Sequence, residues 1–77
     1  EVDLLMDVGG RPLPFEIRLH SAPTPHEVHG LRRCMQDLEL SRGYLIYPGS
    51  SNYSLGASIT ALSASRLLSR PQSVLRL

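Results

Sequence analysis

Asp3, Glu16 and Arg18 are the side chains best suited to carry out chemistry. A Gly9-Gly10 turn between them predicts a hairpin that sets two carboxylates and a cation on facing strands. With Gly9 and Gly10 as a two-residue loop, Asp3 faces Glu16; with a four-residue loop it faces Arg18. The two registers differ by two residues and side chains alternate with a period of two, so both keep the three groups on one face. Two carboxylates converging from adjacent strands suit a hard, oxygen-seeking ion such as Mg²⁺, which keeps several waters and is completed by substrate phosphate. A cation beside them is placed to stabilise charge developing on that phosphate. A charged surface face pairing across a hairpin is the plainer alternative, and the spacing leaves both open.

The other reactive side chains carry weaker signals. His20 falls on the same strand face as Glu16 and Arg18, as a proton donor or ligand or as a half-exposed strand residue. His26 and His29, one helical turn apart with Arg33 beyond them, form either a weak cationic stripe for phosphates or a solvated helix face. Cys34, the single cysteine, has no zinc-type partner and reads as a small buried hydrophobe. Gly49-Ser50-Ser51-Asn52-Tyr53 lacks the second glycine of a nucleophile elbow, which argues against a serine hydrolase. Tyr44, Tyr47 and Tyr53 offer faces on which bases stack, but tyrosines in short strands are more often packing residues. All eight basic residues are arginine. Without lysine this segment holds no P-loop lysine, no Schiff-base lysine and no Ser-x-x-Lys pair, so any ATP is bound by another part of a parent protein.

The elements that must position these groups are legible as patterns. Val2, Leu4, Met6 and Val8 alternate with Glu1, Asp3 and Asp7, as in a half-buried strand. After Gly9-Gly10 the alternation resumes over Leu13 to His20, with Phe15, Ile17 and Leu19 on one side. Pro12 and Pro14 cannot donate ladder hydrogen bonds, so the start of this strand is expected at an edge or splayed from its neighbour. Thr24-Pro25-His26-Glu27 places a threonine N-cap, a proline at N1 and a glutamate at N3. The helix it opens is predicted to run to about Leu40, with Val28, Leu31, Met35 and Leu38 as its apolar stripe, Cys34 beside them, and Gly30 allowing close packing on the sheet. Gly43 leads into a Tyr44-Leu45-Ile46-Tyr47 strand ended by Pro48-Gly49, and strand-helix-strand over this length implies a parallel pair. Short strands follow around Tyr53 to Leu55 and Ile59 to Leu62, then a helix capped by Ser63 and ended at Arg70-Pro71. The last residues carry no clear pattern.

At 77 residues this is a single domain, 1–77, of a size whose core supplies only about 3 to 5 kcal/mol without further staples. It begins without methionine on a strand-like pattern and reads as a fragment of a larger protein. A net charge of +1 and a pI near 8.3 fall short of a nucleic-acid footprint, for which a domain pI above roughly 9 is typical. No apolar run approaches the roughly 18 residues of a membrane span, and no signal peptide is visible. With one cysteine and no disulfide framework, a soluble, cytoplasmic protein with no membrane partner is expected.

The order and spacing of these parts resemble a known family. Glu1-Val2-Asp3, Leu13-Pro14-Phe15-Glu16-Ile17-Arg18, the Thr24-Pro25 helix start, Gly30-Leu31-Arg32-Arg33 and Gly43-Tyr44-Leu45-Ile46-Tyr47-Pro48-Gly49 look like the C-terminal domain of prokaryotic AAA-type P-loop ATPases. That domain is similar to the PD-(D/E)xK, or restriction-endonuclease-like, nuclease core, and the resemblance covers nearly the whole chain. It implies an α/β fold: a partial core with a β-hairpin, a parallel β-α-β unit and a short C-terminal helix. It also implies Asp3 and Glu16 as metal ligands, joined by the backbone carbonyl of Ile17, with Mg²⁺ as the ion and an upstream domain that binds ATP. Arg18 falls where the motif's lysine belongs. Lysine can lose a proton and help activate water, whereas arginine stays charged and presents a planar fork. The expected function is therefore a nuclease-like accessory domain, catalytically weak or inactive, that serves DNA or protein binding and assembly. A Mg²⁺-dependent nuclease using Asp3 and Glu16 is the first alternative. A dimerisation module, covering the hairpin edge and the Phe15-Ile17-Leu19 face in a homo-oligomer, is the second.

Overall fold

The computed structural model describes residues 3–18 and 22–77. Glu1, Val2, Leu19, His20 and Ser21 lie outside the described residues, and with them the site role expected of His20. Strands β1 (Leu4–Val8) and β2 (Arg11–Ile17) form an antiparallel hairpin around a two-residue loop. Gly9 and Gly10 sit at φ +60° and +81°, the left-handed pair that a two-residue turn needs to match strand twist. Val8 therefore pairs with Arg11 and Leu4 with Phe15, so the two-residue loop is the register adopted.

Helix α1 (Pro25–Asp37) then crosses to β3 (Gly43–Tyr47), which pairs parallel to β2. A second hairpin, β4 (Tyr53–Gly56) and β5 (Ile59–Ser63), adds β5 parallel to β3. Helix α2 (Ala64–Ser69) and a 3₁₀ helix (Pro71–Arg76) complete a mixed α/β fold on a five-stranded sheet of order β1-β2-β3-β5-β4. The second strand starts and stops earlier than the alternation suggests, and it lies inside the sheet. Its prolines are tolerated there because positions 12 and 14 turn their backbone nitrogens away from β1, towards β3, where the ladder begins only at Phe15.

The sheet buries a cluster on each face. On one face Leu31 and Met35 of α1 pack with Leu45, Tyr47, Ile59 and Ala61 of the sheet. On the other face, Val8, Leu13, Phe15, Tyr44 and Leu62 pack together, with Phe15 stacked on Tyr44 at a ring separation of 5.3 Å. Val74 and Leu77 pack against this second cluster. The featureless tail is thus the cover of that face, and Phe15, which the dimer reading left in need of cover, is buried by its own chain. Tyr44 and Tyr47 are core residues, not stacking platforms.

Helix α1 starts as its cap predicts and stops sooner than expected. Thr24 and Glu27 make both halves of a capping box. At the other end Glu39 N–H donates to Gln36 O and Leu40 N–H to Met35 O, the two bonds of a Schellman motif, with Glu39 left-handed at φ 55°. Leu38 consequently leaves the apolar stripe and is 51% exposed, while Leu40 takes its place against the core. Gly30 has no packing role either, since a Cβ there would meet nothing within 4 Å. Gly43 is the glycine that lets helix and sheet approach: a Cβ there would stand 2.5 Å from Met35 Sδ.

Candidate functional site

Strand parity carries Glu16 onto the α1 side of the sheet, opposite Leu45 on β3, and only 8% of it remains exposed. A buried carboxylate needs a partner, and Arg18, two residues on and on the same face, supplies one: Nη2 donates to Glu16 Oε2 at 2.5 Å. The same guanidinium forms an ion pair through Nε with Glu27 Oε2 at the first turn of α1, a contact of opposite charges in which Nε makes no hydrogen bond among the described residues. Glu27 Oε1 meanwhile accepts from Thr24 N–H at 2.9 Å, closing the capping box. Arg18 thus joins the end of β2 to the start of α1 through two carboxylates. Glu27 was not among the expected site residues. Its signal was present in the sequence, since an N3 glutamate beside the strand-helix connection is within reach of the strand's last cation.

Asp3 is exposed at the rim and acts on the backbone. Its Oδ2 accepts from Ile17 N–H at 2.9 Å, which extends the hairpin ladder by one side-chain rung. The contact between Asp3 and Ile17 therefore runs through the Ile17 N–H, and the Ile17 side chain, 41% exposed, lies on the opposite face from Glu16. Asp3, Glu16 and Arg18 are gathered at one corner, as either register required.

The electrostatics of that corner are uneven. Burial pushes the Glu16 carboxyl above its ordinary range and the negative charge of Asp3 pushes it further, while Arg18 and the Asp3 backbone pull it back. Glu16 Oε1 is buried and has no hydrogen-bond partner among the described residues. One oxygen of this group is neutralised and the other is left for a proton or a cation.

His26, His29 and Arg33 are exposed on the far side of α1, where they line a shallow groove with Cys34 and Asp37. The structure does not bring them to the Asp3–Glu16–Arg18 corner, and the Asp37 carboxylate dilutes the charge they offer an anion. Cys34 is half-buried and free. Ser63 is fully buried and serves the fold: its Oγ donates to Gly49 O at 2.7 Å and accepts from Arg66 N–H at 3.2 Å as the cap of α2. Among the described residues no three His, Cys, Asp or Glu side chains gather to hold a metal, and no helix is long and apolar enough to cross a membrane.

These features define a small α/β domain in which, among the described residues, one buried carboxylate is held at a strand-helix junction. Residues 1–67 match the family described as Domain of unknown function (DUF4143), and the chain belongs to that family. It is 35% identical over 68 residues to an uncharacterised protein of Mycobacterium bovis and, to the same extent, to one of Mycobacterium tuberculosis. The match takes in 88% of this chain but only 15% of either relative, so the chain spans a small part of their length. No solved structure matches it.

Proposed function

We propose that this domain is a nuclease-like scaffold, weak or inactive in hydrolysis, that serves binding and assembly within a larger P-loop ATPase. The observation that carries the reading is the double pairing of Arg18. The residue at the position of the motif's lysine is an arginine whose guanidinium is held between Glu16 and Glu27, so it is not placed to activate a water, and it occupies one of the two Glu16 oxygens. The hairpin, the parallel β-α-β unit and the gathering of Asp3, Glu16 and Arg18 at one corner support descent from a PD-(D/E)xK core. The relatives are several times longer than the matched segment, which is room that an ATP-binding domain requires. Assembly, with that upstream domain, DNA or a second copy, is supported by β1, the outer strand, on which Leu4 and Leu5 are both exposed. Incubation of the chain with plasmid and oligonucleotide substrates in Mg²⁺ or Mn²⁺ is expected to give no cleavage above background. Cleavage that vanishes in Glu16→Ala would overturn this reading.

One observation favours the catalytic alternative. Glu16 Oε1 has no hydrogen-bond partner among the described residues and the charge of Asp3 acts on the same carboxyl; two such carboxylates fit Mg²⁺ held jointly with substrate phosphate. In that case Asp3 and Glu16 would hold the ion, which would polarise the phosphate and supply the nucleophilic water, while Arg18 would orient Glu16 and offset charge. Calorimetric titration with millimolar Mg²⁺ or Mn²⁺ decides it: heat that disappears in both Asp3→Asn and Glu16→Gln supports the metal site, and its absence in the parent chain removes it.

A further inference from the structure

The net charge of +1 conceals a division of the chain. All seven acidic residues lie in the first 39 positions; the remaining 38 carry four arginines and no Asp or Glu. Three of those arginines, Arg66, Arg70 and Arg76, line one open cavity of about 530 Å³ between β5, α2 and the 3₁₀ helix, together with Asn52, Ser73 and the apolar side chain of Leu62.

The polar wall of this cavity offers donors. Among the described residues none of the three arginines has a carboxylate within ion-pair distance. Arg66, which lines the cavity, is anchored by its Nε, which donates to Ser50 O at 3.2 Å, and its terminal nitrogens make no hydrogen bond among the described residues. Asn52 is oriented by Ser63 N–H, which donates to its Oδ1 at 2.7 Å, so the amide's remaining capacity is its NH₂ group. At the far rim the Leu77 main-chain oxygen is taken by Arg11 Nη2 at 2.6 Å, so a cation already stands against it. Several cationic forks and an amide donor around a concave surface with no acidic side chain match the oxygens of a phosphate group. The volume admits more than the phosphate alone and falls within the usual range for small-ligand sites.

We propose that the α2–3₁₀ cavity binds a terminal phosphate group, with Arg66, Arg70 and Arg76 as its cationic ligands and Asn52 as a neutral donor. The site uses none of Asp3, Glu16 or Arg18 and stands or falls apart from the nuclease reading. The phosphate is either that of a free pyrophosphate-type ligand or the 5′ end of a nucleic acid, and the two arms of the test separate these sources.

Calorimetry at low salt with inorganic pyrophosphate, and anisotropy with a short oligothymidylate with and without a 5′-phosphate, are performed on the 77-residue chain. Saturable binding of pyrophosphate is expected, and it should weaken by roughly tenfold or more in Arg70→Ala/Arg76→Ala, the loss of at least one charge-assisted hydrogen bond. Preference for the phosphorylated oligonucleotide assigns the site to a nucleic-acid end; pyrophosphate binding without that preference assigns it to a free ligand. Arg32→Ala/Arg42→Ala removes the same charge elsewhere on the surface and is expected to leave binding intact. Arg70 and Arg76 are exposed, and an unchanged melting curve confirms that their variant folds. The proposal is overturned if neither pyrophosphate nor the 5′-phosphate is bound, or if the control pair weakens binding as much as the cavity pair.

Discussion

The hairpin-α1 half and the β4-α2 half of this domain use arginine in opposite ways. In the first, Arg18 is enclosed by Glu16 and Glu27, and its charge ties a strand end to a helix start. In the second, connections of the same kind are made without a carboxylate: Ser63 bridges Gly49 and the first turn of α2, Asn52 accepts from the Ser63 backbone, and Arg66 donates to the Ser50 carbonyl. Arg70 and Arg76 are left to face solvent. The difference shows that charge contributes to folding where a carboxylate has to be buried, as at Glu16. Where hydroxyls and amides satisfy the backbone, guanidinium groups remain available to a partner.

The seam between the halves should be the most sensitive point. Gly43→Ala drives a methyl group into Met35 Sδ and against Leu31, and such overpacking costs about 1–3 kcal/mol. In a domain of this size that is a large share of the total, and it should appear as a marked drop in the urea midpoint. If the midpoint is unchanged, α1 is not seated on β3 as described. The contrast between the arginines is tested most directly by Arg18→Ala against Arg70→Ala. Loss of Arg18 strands Glu16 and costs about 1–3 kcal/mol, less than for a fully buried pair because the Arg18 side chain is 33% exposed. Arg70→Ala should stay within about 0.5 kcal/mol of the parent, as for a surface substitution. Equal losses in the two variants would erase the distinction.

Two smaller effects refine the account of the acidic half. Gly30→Ala fills open space on α1 and Glu39→Gly relieves a left-handed glutamate, so each should stabilise by about 0.5–1 kcal/mol in thermal melts. The smallest effect is a pH drift. Because the folded-state pKa of Glu16 is raised, its contribution is fully present below its ordinary value of 4.5 and is lost as pH climbs through the raised value. Glu16→Gln removes that loss, so the stability of the variant relative to the parent should rise from pH 4.5 towards neutrality, read from urea midpoints across the range. A relative stability independent of pH would show that Arg18 fully offsets the burial.

Much of this architecture is legible in the chain because it depends on local rules. The Gly9-Gly10 turn, the Thr24–Glu27 capping box, the Ser63 cap and the alternating strands each follow from the conformational preferences of a few adjacent residues. Strand parity alone gathers Asp3, Glu16 and Arg18. The end of α1 escapes such rules because Glu39 adopts a left-handed conformation that sequence usually reserves for glycine. The packing role falls to Gly43 instead of Gly30 because close approach is a property of two surfaces, not of one helix.

Periodicity and bonds between near neighbours are enough to specify the strands, the two α-helix starts, the parallel crossover and the shared face of the three charged residues, whereas the end of α1 and the 3₁₀ helix of the tail are not read from the chain. Which partner each charge finds is settled by how distant segments pack. Arg18 meets Glu27, nine positions away, because α1 packs back over the end of β2. Arg66, Arg70 and Arg76 meet no acid because the last turn folds over the opposite face of the sheet, away from every carboxylate the described chain places near a cation. Charge is carried by the sequence, but pairing depends on distance, and distance between remote residues is set by packing.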